Sequence, residues 1–156
     1  MKELPKIFIF PGNLEVSEKP ILFTTILGSC VAVCLWDNKL KIGGMNHFML
    51  PLWNGEGLAS PKYGNIAIDK LIKKMLWKGS SIENLEAKIF GGGNVINSTN
   101  NLYNIGDRNI KMALSKIAEY DIKIISSSTG GKRGRKILMD SSNFKILHKF
   151  IEKHNF

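Results

Sequence analysis

Two side chains in this 156-residue chain have the chemistry to open an amide or an ester together: Cys30 and His47. A cysteine attacks a carbonyl carbon only as the thiolate, so it needs a base or a positive environment beside the sulfur. His47 can serve as that base near neutral pH. By residue type alone the reading would be blander, because cysteine is among the most buried residues and a lone histidine usually sits satisfied in a sheet. The address of Cys30 shifts that weighting. It closes Leu27-Gly28-Ser29-Cys30, a Gly-Ser turn after a β-rich run, which resembles the elbows that expose nucleophiles. The amide of Cys30 would then point at the oxygen of the attacked carbonyl.

The other candidates carry less. Cys34 shares strand parity with Cys30 but stands about 13 Å away at ~3.3 Å per residue. That exceeds the roughly 7 Å that a disulfide spans without backbone movement. Set among Val33, Leu35 and Trp36, it reads as a packing thiol. His148 and His154 belong to no paired motif and read as exposed or packing residues. One histidine and a Cys-x3-Cys pair along a strand do not supply four converging ligands, so no metal site is expected.

Elements must bring residues 30 and 47 together. Val31 to Trp36 is apolar on both alternating faces, as in a strand covered on both sides. Asp37-Asn38 offers a turn, and Ile42 to Leu50 forms the second arm of a central hairpin, with Cys30 beginning one arm and His47 near the end of the other. Gly43-Gly44 in that arm permits close approach of a neighbouring backbone. Lys6 to Phe10 reads as a strand stopped by Pro11-Gly12, and Ile21 to Ile26 as another. Ser60-Pro61 reads as the cap and first turn of a helix in which Tyr63, Ile66, Ala67, Leu71, Ile72 and Met75 recur up to Gly79. Ala87 to Phe90 is a buried strand running into Gly91-Gly92-Gly93-Asn94, Asn97 to Asn101 a loop, and about Gly106 to Tyr120 a second helix with Asp107 at its positive end. A strand at Ile122 to Ser126 and a hairpin of Lys136–Met139 with Lys145–Leu147 complete the pattern, and the tail to Phe156 docks. The expected class is α/β: a single domain over residues 1–156, with mixed, largely antiparallel β-sheet and two main packed helices.

Composition removes several classes. An apolar share of 44% with 22% charged residues is that of an ordinary globular protein. The longest apolar run, Val31 to Trp36, is far short of the roughly 20 residues that cross a bilayer. Lys2, Glu3 and Lys6 interrupt the start, so no secretory h-region forms and a cytoplasmic protein with reduced thiols is expected, without membrane insertion. The net charge of +9 favours acidic partners without naming one. Lys132-Arg133-Gly134-Arg135-Lys136 is a solvated loop before it is a nucleic-acid patch, since no aromatic platform accompanies it. The run Gly91 to Gly93 lacks the Gly-Lys-Ser/Thr of a P-loop and the spacing of a dinucleotide fingerprint, so it is read as close packing at a sheet end.

Thr24-Thr25-Ile26-Leu27-Gly28-Ser29-Cys30 and Gly43-Gly44-Met45-Asn46-His47-Phe48-Met49-Leu50-Pro51 resemble motifs of the CheD family of chemoreceptor glutamine deamidases. The resemblance extends in order through Lys62-Tyr63-Gly64, Lys88 to Asn94, Ile105 to Asn109 and Gly130 to Lys136. It implies Cys30 as nucleophile, His47 as base and Thr24, six positions before the cysteine, as the hydroxyl that orients the imidazole, with Thr25 next to it. Ser29 and Gly28 would support the oxyanion. It further implies a layered α/β sandwich, no cofactor, chemoreceptors as protein substrates, a CheC-type phosphatase as partner and a monomer when free. The sequence departs from the family at Asp140-Ser141-Ser142-Asn143, where Asn143 would take the left-handed backbone of a common glycine. A non-catalytic chemotaxis binding module stands as the alternative, and transglutamination or methyl-ester hydrolysis are related chemistries open to the same thioester.

Overall fold

The computed structural model describes residues 3–95 and 104–151. The loop expected at Asn97 to Asn101, His154 and the end of the tail lie outside the described residues.

The central element is β4 (Val31–Asp37), in which every residue is buried. Period-two geometry sends its side chains to two different cores. Val31, Val33 and Leu35 join one cluster, while Ala32, Cys34 and Trp36 join another. The sequence reading of a strand covered on both sides is borne out. Its neighbours are β5 (Gly43–Asn46) and β6 (Leu85–Gly91), both antiparallel to it. Beyond these lie β2 (Leu14–Ser17) and β7 (Lys123–Thr129), giving the order β2-β5-β4-β6-β7. A second sheet contains β1 (Lys6–Phe8), β3 (Leu22–Leu27), β8 (Gly134–Asp140) and β9 (Ile146–Ile151), in the order β1-β3-β8-β9.

The two sheets face each other across Phe23, Leu27, Ala32, Cys34, Met45, Ile137 and Met139, all fully buried. On the other face of the larger sheet pack α1 (Gly64–Trp77) and α2 (Ile105–Glu119). The result is a layered α/β sandwich of sheet, sheet and helices. The expected class holds, with the strands divided between two sheets.

Local sequence explains the helices. On α1, Ala67, Ile68, Leu71, Ile72 and Met75 bury one stripe. Gly79 at φ 112° ends it, with Gly79 N–H donating to Leu76 and Ser80 N–H to Met75, the paired bonds of a Schellman motif. The α2 N-terminus is capped by Asn104, which accepts from Asp107 N–H at 3.2 Å and donates to the Asp107 carboxylate at 3.0 Å, in the manner of a capping box.

Several expectations shift. Ser60-Pro61 does not cap α1; the helix starts at Gly64 after Tyr63, whose side chain makes no cap bond. The left-handed residue of the β8–β9 turn is Phe144 at φ 64°, not Asn143, whose side chain instead accepts from Lys145 N–H. The edge strand β2 was not anticipated. It lies along Gly43-Gly44, and a Cβ on Gly44 would meet Val16 at 2.8 Å and the Glu15 carbonyl at 3.0 Å, the close backbone approach expected of that pair.

Candidate active site

Strand register sets Cys30 and His47 on the same face of the larger sheet. Pairs of β4 with β5 run Trp36 to Gly43, Leu35 to Gly44 and Cys34 to Met45, and a separate bridge joins Val31 to Phe48. Continuing that register sets Ala32 opposite His47, so Cys30 and Cys34 are its two diagonal neighbours on the same face. Diagonal pairs lie within reach of long side chains. The expected hairpin is therefore correct in its pairing. Its second arm ends as a strand at Asn46, because the Asn46 side chain takes the Val33 N–H at 2.8 Å, where a continued ladder would use the Asn46 backbone carbonyl. Beyond that point the His47 backbone is held from the opposite side, accepting from Gly12 N–H at 2.8 Å and donating to the Asn13 carbonyl at 3.1 Å.

A hydroxyl from the facing sheet orients the imidazole. Thr25 Oγ1 lies 2.8 Å from His47 Nδ1 and donates its own proton to the Ile9 carbonyl at 2.6 Å. With the hydroxyl proton committed to Ile9, the threonine oxygen accepts from Nδ1–H, so Nε2 carries the free lone pair. Nε2 is buried and makes no hydrogen bond among the described residues. Thr24, expected in this role, is not the residue in contact. Consecutive residues of a strand face opposite ways, and the Thr24 hydroxyl donates to the Ile137 carbonyl at 2.9 Å.

The Gly28-Ser29 bend leads into Cys30, which is half-buried. The bend uses no left-handed residue at Gly28; the unusual backbone lies opposite, at Gly91 (φ 108°) and Gly92 (φ 69°). A Cβ on Gly91 would sit 2.2 Å from the Cys30 carbonyl oxygen, so only glycine lets the two segments touch. Gly92 N–H donates to the Cys30 carbonyl and Gly93 N–H to the Gly28 carbonyl, both at 2.9 Å. The glycine run is thus a cradle for the cysteine turn, consistent with the close packing read from sequence. Asn94 braces the neighbouring loop through its N–H to the Gly131 carbonyl at 2.7 Å.

The basic cluster divides. Lys132 and Arg133 are exposed, while Arg135 is 3% exposed. Its guanidinium donates to Ser128 at 3.1 Å and to the Gly130 carbonyl at 2.7 Å, so it braces its own loop. Sequence reading also missed Asn109, buried on α2 and bonded to the carbonyls of Ser29 and Met49. Its place in the motif Ile105 to Asn109 was the only signal.

Burial sets the electrostatics. It lowers the His47 pKa to about 4, against a smaller upward pull from the Ile9 carbonyl. It raises the Cys30 pKa, offset in part by the residue's own backbone N–H. Both changes favour neutral forms, so the resting site holds thiol and imidazole rather than an ion pair. Cys34 is pushed up much further by complete burial. Among the described residues no cluster of three or more His, Cys, Asp or Glu could hold a metal, and no helix is long and apolar enough to cross a membrane.

The structure is thus a two-sheet α/β sandwich with a turn-borne cysteine and a histidine, its Nδ1 met by a threonine hydroxyl, on one face. Residues 49–150 match the family model described as CheD chemotactic sensory transduction. Over 142 residues the chain is 49% identical to a protein of Trichlorobacter lovleyi named probable chemoreceptor glutamine deamidase CheD, covering 91% of this chain and 88% of that one. A protein of the same name from Sulfurimonas denitrificans is 47% identical over 156 residues, 99% of each chain. Another from Agrobacterium fabrum is 42% identical over 134 residues, 85% of this chain and 72% of that one. The chain belongs to the CheD family.

Proposed function

We propose that this protein is a chemoreceptor glutamine deamidase, with Cys30 as nucleophile, His47 as general base and Thr25, rather than Thr24, orienting the imidazole. The observation that carries the reading is the free Nε2 of His47. Thr25 meets the other ring nitrogen, Nε2 is buried with no partner among the described residues, and strand parity sets the His47 and Cys30 side chains on one face, all of which support the reading. Catalytic hydrogen bonds are often long before substrate binds, so a resting thiol and imidazole not yet joined fit this role.

The thiol loses its proton to Nε2 as sulfur attacks the side-chain amide carbon of a receptor glutamine. The carbonyl oxygen becomes an oxyanion facing the amides of the Gly28-Ser29-Cys30 turn. Imidazolium returns the proton to the departing nitrogen, and ammonia leaves a thioester on Cys30. Water, deprotonated by His47, then hydrolyses the thioester to free glutamate and thiol. No cofactor enters these steps. The receptor acquires a carboxylate that a methyltransferase can modify.

The name borne by the relatives supports the substrate class, and the charge of +9 would speed encounter with acidic receptor surfaces. A cytoplasmic location, a monomeric free state and a CheC-type phosphatase partner complete the proposal. The exposed loop at Lys132 and Arg133, tied to the glycine run through Asn94, would flank the entering peptide. The test is ammonia release from a receptor cytoplasmic fragment by wild type, Cys30→Ala and His47→Ala, with and without an added amine. Wild-type release lost in both variants supports the proposal; equal release from all three contradicts it, and amine incorporation in place of ammonia-coupled hydrolysis would make the protein a transglutaminase.

A further inference from the structure

Asn109 is fully buried on α2, yet it touches the backbone on both sides of the site. Its Nδ2 donates to the Ser29 carbonyl and to the Met49 carbonyl, each at 3.0 Å. Both partners are acceptors only, so the side-chain amide has one sensible orientation; flipping it would set oxygen against two oxygens. That orientation leaves Oδ1 buried without a partner, which costs about 1–3 kcal/mol. The packing thus accepts an unmet acceptor in order to place two donors.

What those donors hold is specific. The Ser29 carbonyl and the Cys30 N–H are opposite ends of one planar trans peptide, in which C=O and N–H point in opposing directions. Fixing the oxygen against α2 therefore aims the Cys30 N–H away from α2. No backbone carbonyl among the described residues accepts that N–H. The Cys30 carbonyl is held by Gly92 and the Gly28 carbonyl by Gly93, so the peptide before the cysteine is restrained along the turn while its N–H, near the residue's own sulfur, is taken by no carbonyl among the described residues. The second bond, to Met49, ties the histidine arm to the same amide. Phe48, between His47 and Met49, exchanges both backbone bonds with Val31. One side chain thus links the residues flanking the cysteine to those flanking the histidine.

We propose that Asn109 is a positioning residue, acting through the Ser29–Cys30 peptide to aim the Cys30 N–H at the oxyanion formed during acyl transfer. This rests on the deamidase reading for its substrate and not for its geometry.

The experiment compares wild type, Asn109→Ala and Asn109→Asp in three assays. Ammonia release from a receptor fragment gives kcat and KM. Iodoacetamide alkylation of Cys30 across pH reads the sulfur without forming an oxyanion. Inhibition by a peptide aldehyde with the aldehyde in place of the glutamine carboxamide reads a thiohemiacetal, which does place oxygen against the donor. The expected result is a kcat lowered about 10²-fold, the scale of losing one oxyanion donor, with KM and alkylation within roughly threefold of wild type. Aldehyde affinity should fall in step with kcat. Unchanged kcat and aldehyde affinity would overturn the proposal, as would alkylation falling as far as kcat, which marks general disruption of the site. If Asn109→Ala does not fold, Asn109→Ser, small and neutral, carries the same comparison. Wild type that releases no ammonia contradicts the deamidase reading instead, and the aldehyde and alkylation assays still decide the role of Asn109.

Discussion

Cys30, just before β4, and Cys34, within it, share one face by parity, and the structure gives them different surroundings. Cys34 sits in the middle of the layer between the sheets, fully buried beside Met45 and Ala32. Cys30 sits at the open end of that layer, half-buried, where the ladder to β5 has given way to a single bridge. Both sulfurs are held toward the neutral thiol by burial, Cys34 far more strongly. Register makes both cysteines diagonal to His47, but only Cys30 stands at the end of the strand, half-buried and preceded by a turn. Position along the strand decides the surroundings: the same side chain is sealed in the core at the centre and half-buried at the end, where the proposed nucleophile lies.

The comparison can be broken most severely at the sulfurs themselves. Cys30→Ala should lower deamidation by about 10⁴-fold or more, the scale on which losing a nucleophile is felt, whereas Cys34→Ala should stay within a fewfold of wild type. Steady-state ammonia release measures both, and a large loss in Cys34→Ala would remove the distinction.

The two threonines sharpen it next. Thr25→Val deletes the hydroxyl on His47 Nδ1 and should lower kcat about tenfold to a hundredfold, less than the roughly 10²–10⁴-fold a general base supplies. Thr24→Val loses only the bond to the Ile137 carbonyl. It should leave kcat within about twofold of wild type, at a cost of about 1 kcal/mol in stability. Reversed effects in parallel kinetic assays would return the orienting role to Thr24.

Acid distinguishes the ends of the layer through His47. Its folded pKa of about 4 lies below the unfolded value of 6.5, so the unfolded chain binds more protons between those limits. Stability from this residue is fully present above pH 6.5 and is lost as pH falls toward 4, amounting to about 3 kcal/mol. Urea unfolding of wild type and His47→Gln across that window should show a slope that the variant lacks; parallel curves would contradict the buried neutral imidazole.

The smallest effect falls on the packing thiol. Cys34→Ala should cost about 1 kcal/mol in urea unfolding through the small cavity it leaves. Cys30→Ala, at the half-open rim, should cost less.

How much of this was legible beforehand follows from the kind of signal each feature leaves. The buried run Val31 to Trp36, the two helices and the pairing of Cys30 with His47 are local patterns: alternation, helical spacing and a hairpin midpoint near Asn38. Fold class followed from them, and the CheD resemblance supplied the layering. The division of strands between two sheets depends on long-range pairings such as β3 with β8, which no local period encodes. Thr24 and Thr25 illustrate the limit most simply. Motif spacing selects one, strand parity sends it to the wrong face, and only the facing sheet shows which hydroxyl meets the imidazole. Asn109 is farther still, because a buried amide bridging two distant carbonyls has no sequence pattern of its own.

The account stands most directly on the identity of the covalent intermediate. Acid-quenched turnover of a receptor fragment by the wild-type protein, followed by peptide mapping in the mass spectrometer, should find the fragment less ammonia attached to Cys30, with Cys34 unmodified. Deamidated product formed by Cys30→Ala at the wild-type rate, or an adduct on any other residue, would contradict it.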